Sequence, residues 1–289
     1  MSNNLSGKTK LFNSIRNIFK VSPIEKCLVT LSQGKSPASF IGKLLPSHYL
    51  YGRGSHKMVN RYGLNFNLDI SDLVDWSLYF GLKETAHEKL YALCRENYIV
   101  MDIGTNNGAV LMQLSQKAKE GFVYGFEPDP INYARCIKNL SLNKLANVEV
   151  NNIALGSEKG QAALVIVDET NLGMNKISMD PSHKSSEVFI NTLDNFVAEK
   201  GLSKVDLIKI DTEGFELHVL TGSSEILKNM KPVLFIELDD NNLKVQGQSA
   251  KQLVEYLEAL KYKIKRADTD CEITGSYNFT NCHFDIIAQ

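Results

Sequence analysis

Residues 99–129 constrain the fold more than any other part of the chain. They read Ile-Val-Met-Asp-Ile-Gly-Thr-Asn-Asn-Gly, then a helical segment, then Phe-Val-Tyr-Gly-Phe-Glu-Pro-Asp. The first apolar run ends in a turn between Gly104 and Gly108, where the backbone can bend sharply and approach a ligand closely. Apolar residues then recur at helical spacing before a second apolar run that ends at Glu127. This order predicts a strand, a turn, a helix and a second strand of a parallel α/β sheet.

The acid after the second strand indicates the kind of ligand. In doubly wound sheets a carboxylate at this position binds ribose hydroxyls, which gives Glu127 a role in holding a nucleoside. Gly104 and Gly108 are four residues apart and lack the third glycine of the dinucleotide fingerprint. Asp102 beside the turn would repel a pyrophosphate, but it suits the positive amino and sulfonium groups of S-adenosylmethionine (SAM). The sequence therefore favours SAM over a dinucleotide.

Further segments resemble those of the FkbM-type methyltransferases and occur in the same order. They are Asn-Ile-Ala-Leu-Gly at 152–156, Asn-Thr-Leu-Asp at 191–194, Ile-Lys-Ile-Asp-Thr-Glu-Gly-Phe-Glu at 208–216 and Pro-Val-Leu-Phe-Ile-Glu at 232–237. The block at 208–216 is the most distinctive, and the resemblance covers about residues 61–237. Upstream, residues 79–84 resemble the family's segment ending in glutamate. The chain departs from the family at 105–107, Thr-Asn-Asn, where many members carry Ala-Asn-Ile, which changes the packing expected in the turn.

The resemblance implies a class I methyltransferase fold. This fold is a seven-stranded, Rossmann-like α/β sheet whose last strand is reversed, preceded here by a basic helical N-terminal extension. The cofactor-binding residues that the turn, the acid and the resemblance together indicate are Glu84, Asp102, Gly104, Thr105, Asn106, Gly108, Glu127, Pro128, Asn152, Ile153, Ala154 and Asp211. Similar enzymes methylate hydroxyls of sugars, glycolipids, polysaccharides or secondary metabolites, so we expect SAM-dependent O-methylation of a sugar or glycan hydroxyl.

The candidate catalytic residues follow the fourth strand of the predicted sheet. Ligands of open α/β sheets bind outside the carboxyl ends of the strands, where Asp211 ends strand four and Glu237 ends strand five. Methyl transfer to a hydroxyl requires a proton acceptor, for which Asp211 is the first choice and Glu213 the second. His218 is a third candidate, with a surface histidine as the alternative interpretation. Lys209 is unusual in a central parallel strand, and we expect it to pair with a neighbouring acid or to reach the end of the sheet.

Other functions remain open at this level. Asp211, Glu237, Asp239 and Asp240 supply enough oxygens for Mg²⁺, as in some sugar O-methyltransferases of related fold. Acids at strand ends also commonly cap helices, and the resemblance implies no metal, so we assign no metal ligand. The glycine spacing disfavours an NAD-dependent oxidoreductase. A catalytically silent SAM-fold scaffold is disfavoured by the complete set of acids.

The charge distribution divides the chain. The 289 residues carry a formal net charge of −1, but residues 1–60 contain nine basic side chains and only Glu25, a formal +8, which leaves −9 for the rest. We therefore expect a basic N-terminal extension at 1–60 and the methyltransferase domain at 61–289. The acidic balance of that domain disfavours a nucleic-acid partner.

The N-terminal extension includes an apolar stripe. Leu11, Phe12, Ile15, Ile18 and Phe19 recur at helical spacing among basic residues. Residues 8–20 are therefore expected to form an amphipathic helix that contacts an anionic membrane peripherally or binds an anionic substrate. The alternatives are a helix that docks on the catalytic domain and a partly ordered arm. No apolar run approaches the roughly 20 residues that span a bilayer, and there is no signal-peptide core. Five widely spaced cysteines without a C-x-x-C pair favour a reduced, cytoplasmic protein over a disulfide framework.

The region between the third and fourth strands of the sheet contains an insertion. We expect the third strand at 148–153 and an inserted strand at 161–167, where alanine and valine alternate. The polar segment 168–186 follows and is a candidate substrate loop. Later elements are an amphipathic helix at 251–260 and a final strand at 284–288.

Overall fold

The computed structural model describes residues 16–83, 85–168, 170–178 and 186–289. Most of the stripe predicted at 8–20, Glu84, and residues 169 and 179–185 of the predicted substrate loop lie outside the described residues. The chain divides into two compact units, one formed by residues before 85 together with 168–173, the other by residues 85–167 and 174–289. Residues 61–84 thus group with the N-terminal unit, while the functional division at residue 60 stays a prediction.

The N-terminal unit is a small α+β assembly. Its elements are α1 (Ser22–Leu31), α2 (Phe40–Leu44), a 3-10 turn (His48–Leu50), β1 (His56–Arg61), β2 (Leu64–Asp69) and α3 (Leu73–Phe80). The strands β1 and β2 form an antiparallel hairpin. Helix α3 is capped at its N-terminus by Asp72, whose carboxylate accepts the N–H groups of Val74 and Asp75, and at its C-terminus by Gly81, which has φ of +63°.

The larger unit is built on one twisted sheet. Its strands are β3 (Ile99–Ile103), β4 (Phe122–Phe126), β5 (Val148–Asn151), β10 (Leu207–Ile210), β11 (Val233–Asp239), β12 (Ile264–Arg266), β13 (Glu272–Ile273) and β14 (His283–Ala288). They lie in the order β13-β12-β14-β11-β10-β3-β4-β5, and β14 runs antiparallel between β11 and β12. The predicted class I sheet with its reversed last strand is therefore confirmed. The two-residue β13 adds a short eighth strand at the edge.

The helices of this unit cover the sheet. They are α4 (Thr85–Leu93), α5 (Ala109–Lys117), α6 (Pro130–Ser141), α7 (Leu193–Glu199), α8 (Glu216–Thr221), α9 (Ser224–Asn229), α10 (Asp240–Val245) and α11 (Ala250–Ala259). Helix α6 begins at Pro130, a residue whose fixed φ suits the first helical position, and the Asp129 carboxylate accepts the N–H of Ile131 at 2.7 Å. The sheet residues pack in apolar clusters with these helices, as Leu111 does with Val100 and Val123. Within the described ranges, no helix is both long enough and apolar enough to cross a membrane.

The insertion forms a second, four-stranded sheet. Its strands are β6 (Ala154–Leu155), β7 (Gly160–Val165), β8 (Lys176–Ser178) and β9 (Ser186–Asn191), in the order β6-β9-β7-β8. Strand β7 is the inserted strand expected at 161–167, and it pairs antiparallel with both of its neighbours. One face buries Ala162, Leu164 and Val188 against Phe215, which follows the fourth strand of the main sheet. The insertion is thereby anchored beside the segment that carries the candidate catalytic acids.

Candidate active site

The turn after β3 requires glycine at both predicted positions. Gly104 has φ of +83° and Gly108 has φ of +86°, in the left-handed region that favours glycine. A Cβ at Gly104 would lie 1.8 Å from the carbonyl oxygen of Asp211, and one at Gly108 would lie 2.7 Å from Sγ of Cys136. The Asn107 side chain accepts the Ala109 N–H at 3.0 Å, and its backbone carbonyl accepts a hydrogen bond from the Asn139 amide at 2.9 Å. The turn thus brings the end of β3 against the end of β10.

Glu127 is fixed at the end of β4 by two backbone donors. Its carboxylate accepts the N–H of Asn106 at 2.7 Å and the N–H of Asp129 at 2.9 Å. Burial raises the pKa of Glu127 to about 7, although these two hydrogen bonds lower it. An ionised carboxylate offers about four lone-pair positions, so Glu127 can accept further hydrogen bonds from a ligand. Thr105 completes the turn, since its hydroxyl donates to the Asp102 carbonyl at 2.9 Å and accepts the Phe126 N–H at 3.1 Å.

The segment at 152–154 adjoins the same strand end. The Asn152 amide donates to the carbonyls of Glu127 at 2.8 Å and Pro128 at 3.2 Å. Ile153 is partly buried, and Ala154 is buried in β6. The structure therefore brings Asn152 and Pro128 to Glu127, whereas the side chain of Ala154 packs into the cluster of the inserted sheet.

A buried lysine connects β3 with β10. Nζ of Lys209 donates to the carbonyl oxygen of Gly104 at 2.8 Å and lies 3.4 Å from Asp102 Oδ1 and 3.3 Å from Asp211 Oδ2. Burial by itself lowers the pKa of Lys209, but the charges of Asp211 and Asp102 together raise it by more. The pKa of Lys209 therefore lies above its ordinary value. Lys209 therefore stays charged, and the expected pairing with a neighbouring acid is observed.

The two acids that flank this lysine differ in accessibility. The side chain of Asp102 is fully buried, whereas that of Asp211 is 37% exposed. Neither carboxylate oxygen of Asp102 has a hydrogen-bond partner among the described residues. Burial raises the pKa of Asp102, and the neighbouring Lys209 opposes this rise. Asp211 is consequently the acid of this pair that a ligand can reach.

Three carboxylates meet at the ends of β10 and β11. Oxygen atoms of Asp211, Glu213 and Glu237 lie within 4.8 Å of one another. Burial opposes ionisation of Asp211, but Lys209 holds the pKa of Asp211 below its ordinary value. The charge of Asp211, followed by burial, raises the pKa of Glu237 well above its ordinary value. Burial and then Asp211 raise the pKa of Glu213 to about 7. Near neutral pH the group therefore combines an ionised Asp211 with a protonated Glu237.

The turn that carries Glu213 is held by local hydrogen bonds. Oε1 of the buried Glu216 accepts the Thr212 N–H, the Thr212 hydroxyl and the Gly214 N–H, each at 3.0 Å. Glu213 itself has φ of +56°, and its Oε2 accepts the Asn242 amide at 2.7 Å. These contacts fix the Glu213 carboxylate beside Asp211, so the residue is held in place before any ligand binds.

Two residues of this cluster were not predicted. Asp285 pairs with Glu237 across β14 and β11, and burial followed by the charge of Asp211 raises the pKa of Asp285 to about 6. His87 on α4 lies near enough for its charge to lower the pKa of Asp211, Asp102 and Asp285. An aspartate within the largely apolar final strand was the available signal for Asp285. No local pattern marked His87.

The remaining predicted residues lie elsewhere or have structural partners. The ring of His218 stacks on Phe215 with centroids 4.4 Å apart, and its Nδ1 lies 3.5 Å from the Ser157 hydroxyl. Its role as a catalytic residue stays a prediction. Asp239 caps α10 by accepting two backbone N–H groups, and Asp240 accepts the Ala250 N–H at 3.1 Å. The three acids that do meet are therefore Asp211, Glu213 and Glu237, which changes the ligand set considered for Mg²⁺.

The sequence matches a family model. Residues 102–264 match the methyltransferase FkbM domain, a range that contains the glycine turn, the acids at the ends of β4, β10 and β11, and the insertion.

Similar proteins include three curated relatives. Methyltransferase 1 of Beauveria bassiana is 25% identical over 60% of this chain and 77% of its own length. The 2-O-methyltransferase NoeI of Sinorhizobium fredii is 25% identical over 56% of this chain and 72% of its own length. The hexuronic acid methyltransferase AglP of Haloferax volcanii is 28% identical over 48% of this chain and 55% of its own length.

Among solved structures, an FkbM methyltransferase from Methylobacillus flagellatus superposes with a TM-score of 0.45 at 15% identity. The match covers 74% of this chain and about half, 52%, of that protein. Because the family model spans more than half of the chain, including the turn and the acids described above, the chain belongs to the FkbM methyltransferase family.

Proposed function

We propose that this protein transfers the methyl group of SAM to a hydroxyl of a sugar or glycan. The observation that carries the proposal is the position of Lys209. It contacts the glycine turn expected to hold the cofactor and the accessible acid expected to receive the acceptor's proton. Relatives named as a 2-O-methyltransferase and a hexuronic acid methyltransferase support a sugar acceptor.

The residues at the end of β3 and β4 fit SAM. The backbone is left-handed at Gly104 and Gly108, and glycine turns of this kind let a ligand approach the backbone closely. Glu127 has lone pairs left for the ribose hydroxyls. Asp102 is buried close to the turn, 3.4 Å from the Lys209 ammonium group. When bound, SAM supplies an activated methyl group on a positively charged sulfur.

Asp211 is proposed to orient and deprotonate the acceptor. Its carboxylate is ionised beside Lys209 and exposed enough to accept a hydrogen bond from a hydroxyl. As the oxygen–carbon bond forms and the carbon–sulfur bond breaks, the hydroxyl proton passes to the carboxylate. Lys209 fixes the Asp211 carboxylate relative to the glycine turn.

Glu213 is the second candidate for this base. Its pKa of about 7 lies closer to the working pH than that of Asp211, and proton transfer is most effective near that match. Asn242 holds its carboxylate beside Asp211. If Glu213 accepts the proton, Glu213→Gln will remove a pKa near 7 from the pH profile of kcat.

A metal-dependent variant of the same reaction has one specific observation in its favour. Oxygen atoms of Asp211, Glu213 and Glu237 are close enough to bind one divalent cation, and carboxylates are the ligands that Mg²⁺ prefers. In that case chelation would abolish turnover and Mg²⁺ would restore it.

The test is methyl transfer from isotope-labelled SAM to a panel of glycans, with Asp211→Asn as the decisive variant. We expect turnover to fall roughly 10²-fold or more, with SAM affinity largely retained, because a general base contributes about that factor. Asp206→Asn is the matched control, since Asp206 precedes the same strand and accepts the Ile99 N–H at 2.7 Å. Wild-type turnover in Asp211→Asn would remove Asp211 from the mechanism.

Location and partners are further parts of the proposal. The acidic methyltransferase domain at 61–289 is proposed to act in the cytoplasm without a nucleic-acid partner. The basic extension at 1–60 is proposed to supply peripheral membrane contact through residues 8–20. A membrane location would suit a lipid-linked glycan as acceptor.

A further inference from the structure

The N-terminal unit exposes large apolar side chains in a basic setting. Phe40 is 77% exposed, Tyr49 is 66% exposed and Ile18 is 61% exposed. Isolated exposed apolar residues are common, whereas several that lie together mark an interaction site. Whether these three share one surface is decided by the contacts of the segment that carries Ile18.

Two basic residues connect the segment 16–20 by hydrogen bonds to the elements that carry Phe40 and Tyr49. The Arg16 guanidinium donates to the Lys43 carbonyl at 2.6 and 3.0 Å, which joins it to α2, where Phe40 lies one helical turn earlier. The Lys20 ammonium donates to the carbonyl of Leu50, the residue after Tyr49. Ile18 lies midway between these two attachments. The segment 16–20 is therefore attached at one end to α2, which carries Phe40, and at the other end to the 3-10 turn, which carries Tyr49.

The stretch of chain that carries these residues is rich in basic side chains. Residues 16–60 contain seven lysine and arginine residues and one acid, Glu25. That acid is buried at 2% exposure, where its carboxylate accepts the hydroxyls of Tyr51 and Tyr79 and pairs with Lys57 at 2.8 Å. Glu25, the only acidic side chain of residues 16–60, is thus buried. The solvent-facing charge of residues 16–60 is basic.

We propose that the surface formed by Ile18, Phe40 and Tyr49 with Arg16, Lys20 and Lys43, here called the basic apolar surface, binds membranes rich in anionic phospholipid. Basic side chains near an anionic leaflet attract it, while exposed aromatic and aliphatic side chains enter the interfacial region. An aliphatic residue beside two rings suits lipid better than nucleic acid, which is bound by stacking aromatics and phosphate contacts. The proposed membrane contact is peripheral, and the residues that form it lie outside the segment 8–15.

The test uses the full-length chain and two kinds of vesicle, pure phosphatidylcholine and phosphatidylcholine mixed with phosphatidylglycerol, at low salt. We expect flotation with the mixed vesicles only, and loss of flotation at high salt. Phe40→Ser combined with Tyr49→Ser is expected to weaken partitioning about tenfold or more. Lys43→Gln is expected to weaken it about fivefold.

The matched control is Phe189→Ser combined with Val245→Ser, two side chains of the larger unit that are 65% and 70% exposed. This control should float like the wild type. All the substituted variants should have the melting temperature of the wild type, because the substituted side chains are exposed. A chain lacking residues 1–15 should still float with anionic vesicles.

Three results would overturn the proposal. The first is wild-type flotation by the Phe40 and Tyr49 double variant. The second is complete loss of flotation on removal of residues 1–15, which would place binding in that segment alone. The third is a wild-type chain that binds neither kind of vesicle or binds both kinds equally. Binding of single-stranded RNA in place of vesicles belongs to this third result.

Discussion

The ammonium group of Lys209 donates a hydrogen bond to the carbonyl oxygen of Gly104 at 2.8 Å. These residues are 105 positions apart in sequence, on adjacent parallel strands or just beyond them. The same ammonium group also lies between Asp102 and Asp211. One buried cation therefore sets the spacing between the turn expected to bind the cofactor and the acid expected to act on the acceptor.

Removing this cation should destabilise the protein strongly. Lys209→Met leaves Asp102 buried without its ion-pair partner, and breaking a buried pair costs about 3 to 5 kcal/mol. Lys204→Met is the control, because Lys204 pairs with Asp206 at 2.8 Å while 46% exposed, and exposed pairs contribute about 0 to 1 kcal/mol. Urea unfolding measures the free energy of unfolding of both variants. Similar small losses in the two variants would mean that Lys209 does not hold this part of the sheet.

Gly104→Ala should damage the turn for a steric reason as well as a conformational one. The new Cβ would lie 1.8 Å from the Asp211 carbonyl oxygen, so β3 and β10 would have to separate locally. Gly201→Ala separates the two effects, since Gly201 has φ of +64° but open space around it. We expect about 1 to 2 kcal/mol of destabilisation at Gly201 from the left-handed conformation alone. Gly104→Ala should cost more and should also abolish SAM binding. Equal melting temperatures for the two variants would contradict this assignment.

Stability should depend on pH through Glu213. Burial and the charge of Asp211 raise its pKa from 4.5 to about 7 in the folded protein, so the folded state binds this proton more tightly than the unfolded chain. The contribution of Glu213 to the free energy of unfolding is therefore largest below about pH 4.5 and declines as pH rises to about 7. Glu213→Gln should flatten the decline between pH 5 and 8 by about 1 to 3 kcal/mol. An unchanged pH profile of urea unfolding in this variant would show that Glu213 titrates normally.

Several strands of the main sheet were predictable because they carry apolar runs followed by an acid or a glycine. The prediction matches β3, β4 and β11, whereas the reversed last strand was expected from the family resemblance. Strand β8 was missed, since three residues, Lys-Ile-Ser, give no periodicity. The first hairpin strand has no periodic signal of its own, because most of β1 is exposed or half-buried and lacks an apolar run.

The candidate site was only partly predictable for a similar reason. Asp102, Asp211 and Glu237 follow from the rule that ligands bind at the carboxyl ends of parallel strands. That Asp102 is buried while Asp211 is accessible depends on tertiary packing, which a strand pattern cannot predict. Asp285 and His87 reach the cluster from the last strand and from a helix before β3. Their approach depends on tertiary packing.

The most direct test of the central claim is calorimetric titration of the protein with SAM and, separately, with NADH. The proposed function predicts that SAM binds to the wild type and NADH does not. It also predicts that Glu127→Ala weakens SAM binding by about 1.5 to 3 kcal/mol, as expected for lost hydrogen bonds to a charged group. Tight binding of NADH with no measurable affinity for SAM would contradict it.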